Sequence, residues 1–379
     1  MNGISILEDP QFKEFVRAKD YKLASIRNYK NGLEFYCNFL GKTPTEIIRE
    51  AIKEQKNDVW VTDRKIRKYF INFVDYLIDI GNAPQTIKNK VNWVKTFYKE
   101  YGIETPRVRV PNSKINISLK QVPDKEVILE ALKRTSLRNQ AIIILMASSG
   151  MGSAEIRSLK YKNFIMAIEE VTNDLTESEK MDLFKIRSVL KNKTVFGTWR
   201  IIRIKTSIPY ITFSTPESLQ AIIDHLIYQQ QCNKPLMSLN DYLFSVNGNK
   251  MKANTLTEIF QHLNDRCGFG KVGSQRLFVS HNLRKFTANT LIDNGMEFYR
   301  VEWLLGHALP STQASYYKMN LDVMKKEYTK YEDYLSFNKK VNNPSAELFK
   351  MKGKITDMAN MLKEQNQLLS DLCTNTNSR

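Results

Sequence analysis

Between His281 and Tyr317 the chain reads HNLRKFTANTLIDNGMEFYRVEWLLGHALPSTQASYY. This stretch gathers two arginines, a tyrosine pair and two of the four histidines in the whole protein. His281 and Arg284 are three apart, so a helix would place them on one face. His307 follows a glycine, and Tyr316 comes nine residues later. A guanidinium and imidazoles are donors for the oxygens of an anion, and a phenol is a nucleophile. The combination suits attack on a phosphodiester, with the charge of the phosphorane held by fixed donors.

The elements that must position these groups are visible as apolar spacing. Leu283, Phe286, Ala288, Leu291 and Ile292 recur near helical period, and Gly295 ends the run. Val301, Leu304 and Leu305 form a second apolar run leading into Gly306-His307. The order H-x-x-R, L-G-H, then Tyr nine residues on resembles the second signature box of the tyrosine recombinases, or phage integrases, with an archaeal-type flavour. The resemblance implies that His281, Arg284, His307 and Tyr316 are catalytic. Tyr317 is the adjacent rival nucleophile, and the spacing from His307 favours Tyr316.

The chain has 379 residues, enough for two domains, with 42% hydrophobic and 26% charged residues. No apolar run is long enough to span a membrane, which takes about 18 residues, and MNGISILEDPQFKEF does not read as a secretory signal. Cys37, Cys232, Cys267 and Cys373 are scattered without a C-x-x-C pair, which fits a reducing compartment and no zinc site. A cytoplasmic, prokaryotic, DNA-associated protein without metal or other cofactor is expected. The net charge of +17 is spread: 20 basic against 14 acidic residues in 1–112, 30 against 22 in 113–337, and 7 against 4 in 338–379. A two-domain clamp around a polyanion has this distribution, and so has a basic protein with solvated lysines.

Residues 1–104 read as a helical DNA-gripping domain. Leu33, Phe35, Tyr36 and Phe39-Leu40 are stopped by Gly41, and Ile66, Tyr69, Phe70, Phe73, Leu77 and Ile80 by Gly81. A further helix starts at Pro84 and turns Val91, Trp93-Val94 and Phe97-Tyr98 inward. This order resembles the integrase core-binding domain. Lys88, Lys90, Lys95 and Lys99 are either phosphate contacts or a solvated face. Residues 105–123, with Pro106, Pro111 and Pro123, read as an extended basic linker whose Arg107, Arg109 and Lys114 can follow a duplex backbone.

Residues 124–337 read as the catalytic domain. Asp124 caps its first helix and 138–147 form a buried one. SSGMGSAEIRSLKY follows, and resembles the family's first box, G-[LM]-R-x-x-E-[LI]. Glu155 matches the acidic position, but Gly152 stands where the box has arginine. Arg157 is the favoured substitute, although five helical residues from 152 amount to about 140° and about 7.5 Å. Arg203 covering the gap, or a weakened site, are the alternatives. An acidic insert spans 167–184. Phe184–Arg187 and Trp199–Ile204 alternate with period two and read as strands, with Pro209–Phe213 following Lys205-Thr206. The resemblance makes Lys205 the β-hairpin lysine that protonates the leaving oxygen, with Lys191 and Lys193 as rivals. A helix starts at Ser214-Thr215-Pro216-Glu217, and another covers Thr255–Leu263. His225 and His262 read as structural or surface residues. Helix continues through 318–337. Residues 338–379 form a tail helix whose heptad-like Leu348, Ile355, Leu362 and Leu369 seam suits a short coiled coil or docking on its own domain.

The fold class expected is mainly α with a small antiparallel β-sheet (α+β), arranged as a two-domain DNA clamp. The resemblance implies a site-specific recombinase working on double-stranded DNA as a tetramer on two duplexes, with no membrane partner. The alternatives are a type IB topoisomerase-like strand transferase and a catalytically weakened DNA-binding protein of the same fold.

Overall fold

Proline, glycine and capping side chains set the helix boundaries of this protein. Its computed structural model describes residues 6–18, 21–111, 122–273, 275–308 and 320–337. The chain divides into two units, Met1–Ile117 and Ser118–Arg379, each with its own apolar core.

The first unit holds α1 (Pro10–Ala18), α2 (Leu23–Leu40), α3 (Pro44–Lys56), α4 (Lys65–Asp79) and α5 (Pro84–Glu100). Gly41 ends α2 at φ 63°, a left-handed turn that glycine adopts without strain. Thr43 and Glu46 then make a reciprocal capping box on α3. Tyr36, Phe70, Phe73, Phe97 and Tyr98 fill the centre, with Tyr36 edge-on to Phe73 at 5.0 Å. Phe35 and Ile80 lie outside that core, both exposed. Gly32 lets α2 close on α5, since a Cβ there would lie 2.9 Å from the Trp93 ring.

The basic candidates of this unit divide. Lys88, Lys99, Arg107 and Arg109 are exposed. Lys90 is buried, its ammonium 3.2 Å over the Phe35 ring centroid and 3.2 Å from the Asn82 side-chain oxygen. Lys95 is partly buried against Phe70. Burial lowers the pKa of both, and neither belongs to the outward basic face on which the sequence placed it. The start of the expected linker is also corrected. Ile103 and Pro106 are buried, and Val108 and Val110 pack on the first core while Arg107 and Arg109 point out. Through residue 110 the chain is therefore the first unit's own covering. Residues 112–121, Lys114 among them, lie outside the described residues.

In the second unit Asp124 accepts from Val127 N at 2.9 Å and caps α6 (Lys125–Lys133). Helix α7 (Leu137–Ser149) is buried from Ala141 to its end, and Gly150 closes it at φ 66°. The helices α8 (Ser153–Ser158), α9 (Tyr161–Ala167), α10 (Glu169–Thr172), α11 (Glu177–Met181) and α12 (Leu183–Asn192) follow. The first strand expected here, Phe184–Arg187, is helical. Asp182 accepts from Phe184 N and Lys185 N, and Leu183 and Ile186 are buried three residues apart. The apparent two-residue alternation was a fragment of helical period. The hairpin is β1 (Gly197–Ile202) against β2 (Pro209–Ser214), paired from Gly197–Ser214 to Ile202–Pro209. Lys191 and Lys193 fall at the end of α12, away from its turn.

Beyond the hairpin come α13 (Pro216–Gln231) and α14 (Ala253–Arg266), then a two-residue ladder of β3 (Lys271–Val272) and β4 (Gln275–Arg276) that the sequence reading lacked. The remaining helices among the described residues are α15 (Ser280–Asp293), α16 (Phe298–Leu304), α17 (Leu321–Thr329) and α18 (Glu332–Leu335). Helices α13 and α15 pack along α7. Among the described residues no helix is long and apolar enough to cross a membrane. Residues 338–379 and their heptad-like seam lie outside the described residues.

His262 is exposed, whereas His225 is buried and stacks on Phe244 with 17° between ring planes. Neither of its ring nitrogens has a hydrogen-bond partner. Burial, followed by the charge of Arg138, pushes its pKa down to about 3. The unfolded chain, with an ordinary histidine pKa of about 6.5, takes up this proton first as pH falls. Stability is therefore lost progressively below about pH 6.5, and this residue removes about 2 kcal/mol by pH 5. Leucine at 225 leaves no buried orphan nitrogens. His225→Leu is expected to hold stability at pH 7 and to flatten the decline between pH 7 and 5, read by urea denaturation at the two pH values; an unchanged slope would refute the assignment.

Candidate active site

The last carbonyls of a helix lack intrahelical partners. At the end of α7 they are met by donors from three other elements. Thr287 Oγ1 of α15 donates to Ala147 O at 2.9 Å. Tyr328 Oη of α17 donates to Ser148 O at 2.8 Å, and Thr212 Oγ1 of β2 to Ser149 O at 2.7 Å. Arg284 Nη1 of α15 donates to Gly150 O at 2.7 Å. The same guanidinium donates through Nη2 to Leu305 O, at the end of α16. Arg284 thus joins the termini of two helices, where the backbone carries partial negative charge.

Two glycines permit the approach. A Cβ on Gly150 would stand 2.6 Å from Leu305 Cδ2, and one on Gly306 would stand 2.5 Å from the Tyr210 ring. Gly306 also has φ 64°, so its lack of a side chain serves both the turn and the contact.

The turn delivers His307 to Arg284, with Nε2 3.0 Å from Nη2. On the other side of the ring Nδ1 is 2.8 Å from Glu302 Oε2. These partners assign a neutral tautomer in which Nδ1–H donates to the carboxylate and Nε2 accepts from the guanidinium. Partial burial lowers the His307 pKa, Glu302 opposes that, and Arg284 and Arg203 reinforce it. His281 lies in the first turn of α15 on the exposed side. Desolvation, then the charges of Lys285 and Arg284, lower its pKa as well. A neutral imidazole at neutral pH is a proton acceptor.

The first-box residues are placed differently from expectation. Gly152 is the N-cap of α8. Arg157 turns to the Met251 carbonyl, with Nη1 at 3.1 Å, and its Nε is buried without a partner. No described hydrogen bond links Arg157 to Arg284, His307 or His281. Arg203, at the end of β1, donates through Nη1 to Gly306 O at 2.6 Å. Lys205 is exposed on the same turn, two residues on. Glu155 is buried and accepts from Ile204 N at 3.2 Å, fixing the turn between those two cations. Tyr316 and Tyr317 lie outside the described residues, in a stretch that begins two residues after His307.

Sequence reasoning missed Glu302 and Tyr210. Glu302 sits five residues before His307, an acid one turn ahead of L-G-H, and that spacing was the available signal. Tyr210 is buried beside Arg284 with no hydrogen bond to its hydroxyl. Burial, chiefly, pushes its pKa up to about 12, with Glu155 adding and Arg284 opposing. No local pattern marks it.

Among the described residues no three His, Cys, Asp or Glu side chains come together. What this site offers a ligand is cationic and neutral nitrogen donors, which match an anion such as a phosphate oxygen. Because Glu302 holds the His307 pKa up against its surroundings, Glu302→Gln is expected to lower that pKa further, followed by NMR titration of the ring; no change, or a rise, would contradict the pairing.

The sequence model of the phage integrase family matches residues 121–322. A "Probable integrase/recombinase" of Methanocaldococcus jannaschii is 22% identical over 75% of this chain and 76% of its own length. The tyrosine recombinase XerD of Staphylococcus epidermidis is 20% identical over 79% of this chain and 97% of its own length. The fold is similar to that of a lambda integrase fragment solved as a dimer bound to a core site, with TM-score 0.51 and 14% identity over 82% of this chain and 94% of that one. With more than half of its length matched by the family model, the chain belongs to the phage integrase family of tyrosine recombinases.

Proposed function

We infer that this protein is a site-specific recombinase that cleaves and rejoins double-stranded DNA through a 3′-phosphotyrosyl intermediate, without metal or ATP. The observation that carries this reading is the Arg284–His307 pair at the joined ends of α7 and α16, with His281 on the same helix as Arg284.

In the proposed reaction Arg284 and His307 hold the non-bridging oxygens of one phosphate. The Arg284 Nη2–His307 Nε2 contact opens to admit the anion. His307 then takes a proton from solvent, which the Glu302 carboxylate favours, so that Nε2–H donates to the phosphate. The Tyr316 oxygen attacks phosphorus, its proton passing to His281. A free phenol has a pKa of ~10 and is mostly neutral at pH 7. The bond from phosphorus to the 5′ oxygen breaks, and Lys205 supplies the proton that the departing oxygen takes up. The energy of the broken ester is kept in the phosphotyrosyl ester, and a 5′ hydroxyl from a second duplex reverses the step. Exchange between two duplexes requires four such cleavages, hence four protomers. Residues 1–104 would grip the duplex through Lys88 and Lys99, with Arg107 and Arg109 beside them, and residues 338–379 would contribute to assembly.

The test uses nicked suicide duplexes carrying a randomised core, from which SDS-stable adducts with the wild-type protein are selected and sequenced. On the selected duplex Tyr316→Phe should form no adduct. Arg284→Ala should lower its rate by roughly 10²–10³-fold, as loss of a fixed oxyanion donor does. An adduct that survives Tyr316→Phe transfers the nucleophile to Tyr317, and absence of any wild-type adduct refutes the recombinase reading.

A further inference from the structure

Position 152 has no side chain to aim at a phosphate, and the space beside it is already taken. A Cβ there would meet Glu155 Oε2 at 2.4 Å. The Glu155 carboxylate therefore lies across the direction that a residue at 152 would use. From that position its other oxygen holds Ile204 N, the residue next to Arg203. Arg203 in turn binds Gly306 O, and Arg284 binds Leu305 O. Two guanidinia thus occupy consecutive carbonyls of one short turn, immediately before His307.

Among the described residues neither Arg203 nor Arg284 has a carboxylate within ion-pair distance. Two adjacent cations without a fixed counter-ion create a strong local field for an anion. The carbonyls they bind now carry only partial charges, so a phosphate is a better partner for both. Arg203 also acts on its neighbours: its charge lowers the pKa of Arg284 and of His307.

We propose that Arg203, carried on the β1–β2 hairpin, is the second phosphate-binding guanidinium of this enzyme and replaces the arginine absent from position 152. It is a catalytic residue that contacts the scissile phosphate together with Arg284, while Arg157 serves only the Met251 loop. The proposal rests on the recombinase reading given above.

The experiment uses the full-length protein and the duplex selected with the wild type, alongside the same duplex bearing a neutral methylphosphonate at the scissile position. Arg203→Ala should slow adduct formation on the phosphate duplex by roughly 10²–10³-fold. Arg203→Lys, which keeps charge but loses the planar fork, should fall between Arg203→Ala and wild type. On the methylphosphonate the charge to be neutralised is reduced, so the deficit of Arg203→Ala should shrink to less than about tenfold. Arg157→Gln, which retains a donor for Met251 O, should stay within about threefold of wild type. Thermal denaturation and DNA binding identify any variant that has failed to fold, and Arg203→Lys keeps the comparison meaningful if Arg203→Ala is one of them.

The proposal is overturned if Arg203→Ala cleaves within about threefold of wild type. It is also overturned if its deficit is equal on both substrates, since a residue that merely props the turn gives that result. Loss of activity in a folded Arg157→Gln variant would return the role to Arg157. If the wild type itself forms no adduct, the recombinase reading fails and takes this proposal with it. An active wild type with an equally active Arg203→Ala removes only the proposal.

Discussion

The end of α7 is the point on which the second unit depends. Its unpaired carbonyls must find donors because they are buried, and an unmet buried carbonyl costs about 1–3 kcal/mol. The donors come from β2, α15 and α17, which lie far apart in sequence. Arg284 is one of them. The bonds that terminate a helix are thus the same bonds that assemble the site. A charged donor suits this place, because the terminus of a buried helix concentrates partial negative charge.

Electrostatics then orders the remaining groups. Arg284 stays charged despite its burial, because a guanidinium does not give up its proton in proteins. Partial burial first, and then neighbouring cations including Arg284, lower the pKa of both His281 and His307. His307 has a separate counterweight in Glu302, which gives its ring a fixed orientation and tautomer.

Much of this arrangement was legible in the chain. The described part of the second box was readable because His281 and Arg284 share one helix and His307 follows the turn that ends the next. The end of α2 was readable from Gly41, and the start of α13 from Pro216. Other features depended on tertiary contacts. The segment Phe184–Arg187 looked like a strand until Asp182 was seen to cap a helix there. Lys90 looked like a surface cation, yet the open ring of Phe35 draws its ammonium inward. Arg157 and Arg203 are both arginines near a damaged motif, and only the hydrogen bonds to Met251 O and Gly306 O separate them. Glu302 left only its spacing from His307 as a signal, and Tyr210 acts through geometry that no short pattern encodes.

Tyr328 is anchored to Ser148 O. His307 is held, through Arg284, to the carbonyl of Gly150, two residues further on. Positions 307 and 328 are therefore pinned to one helix end, and a substitution that loosens the last turn of α7 releases both together.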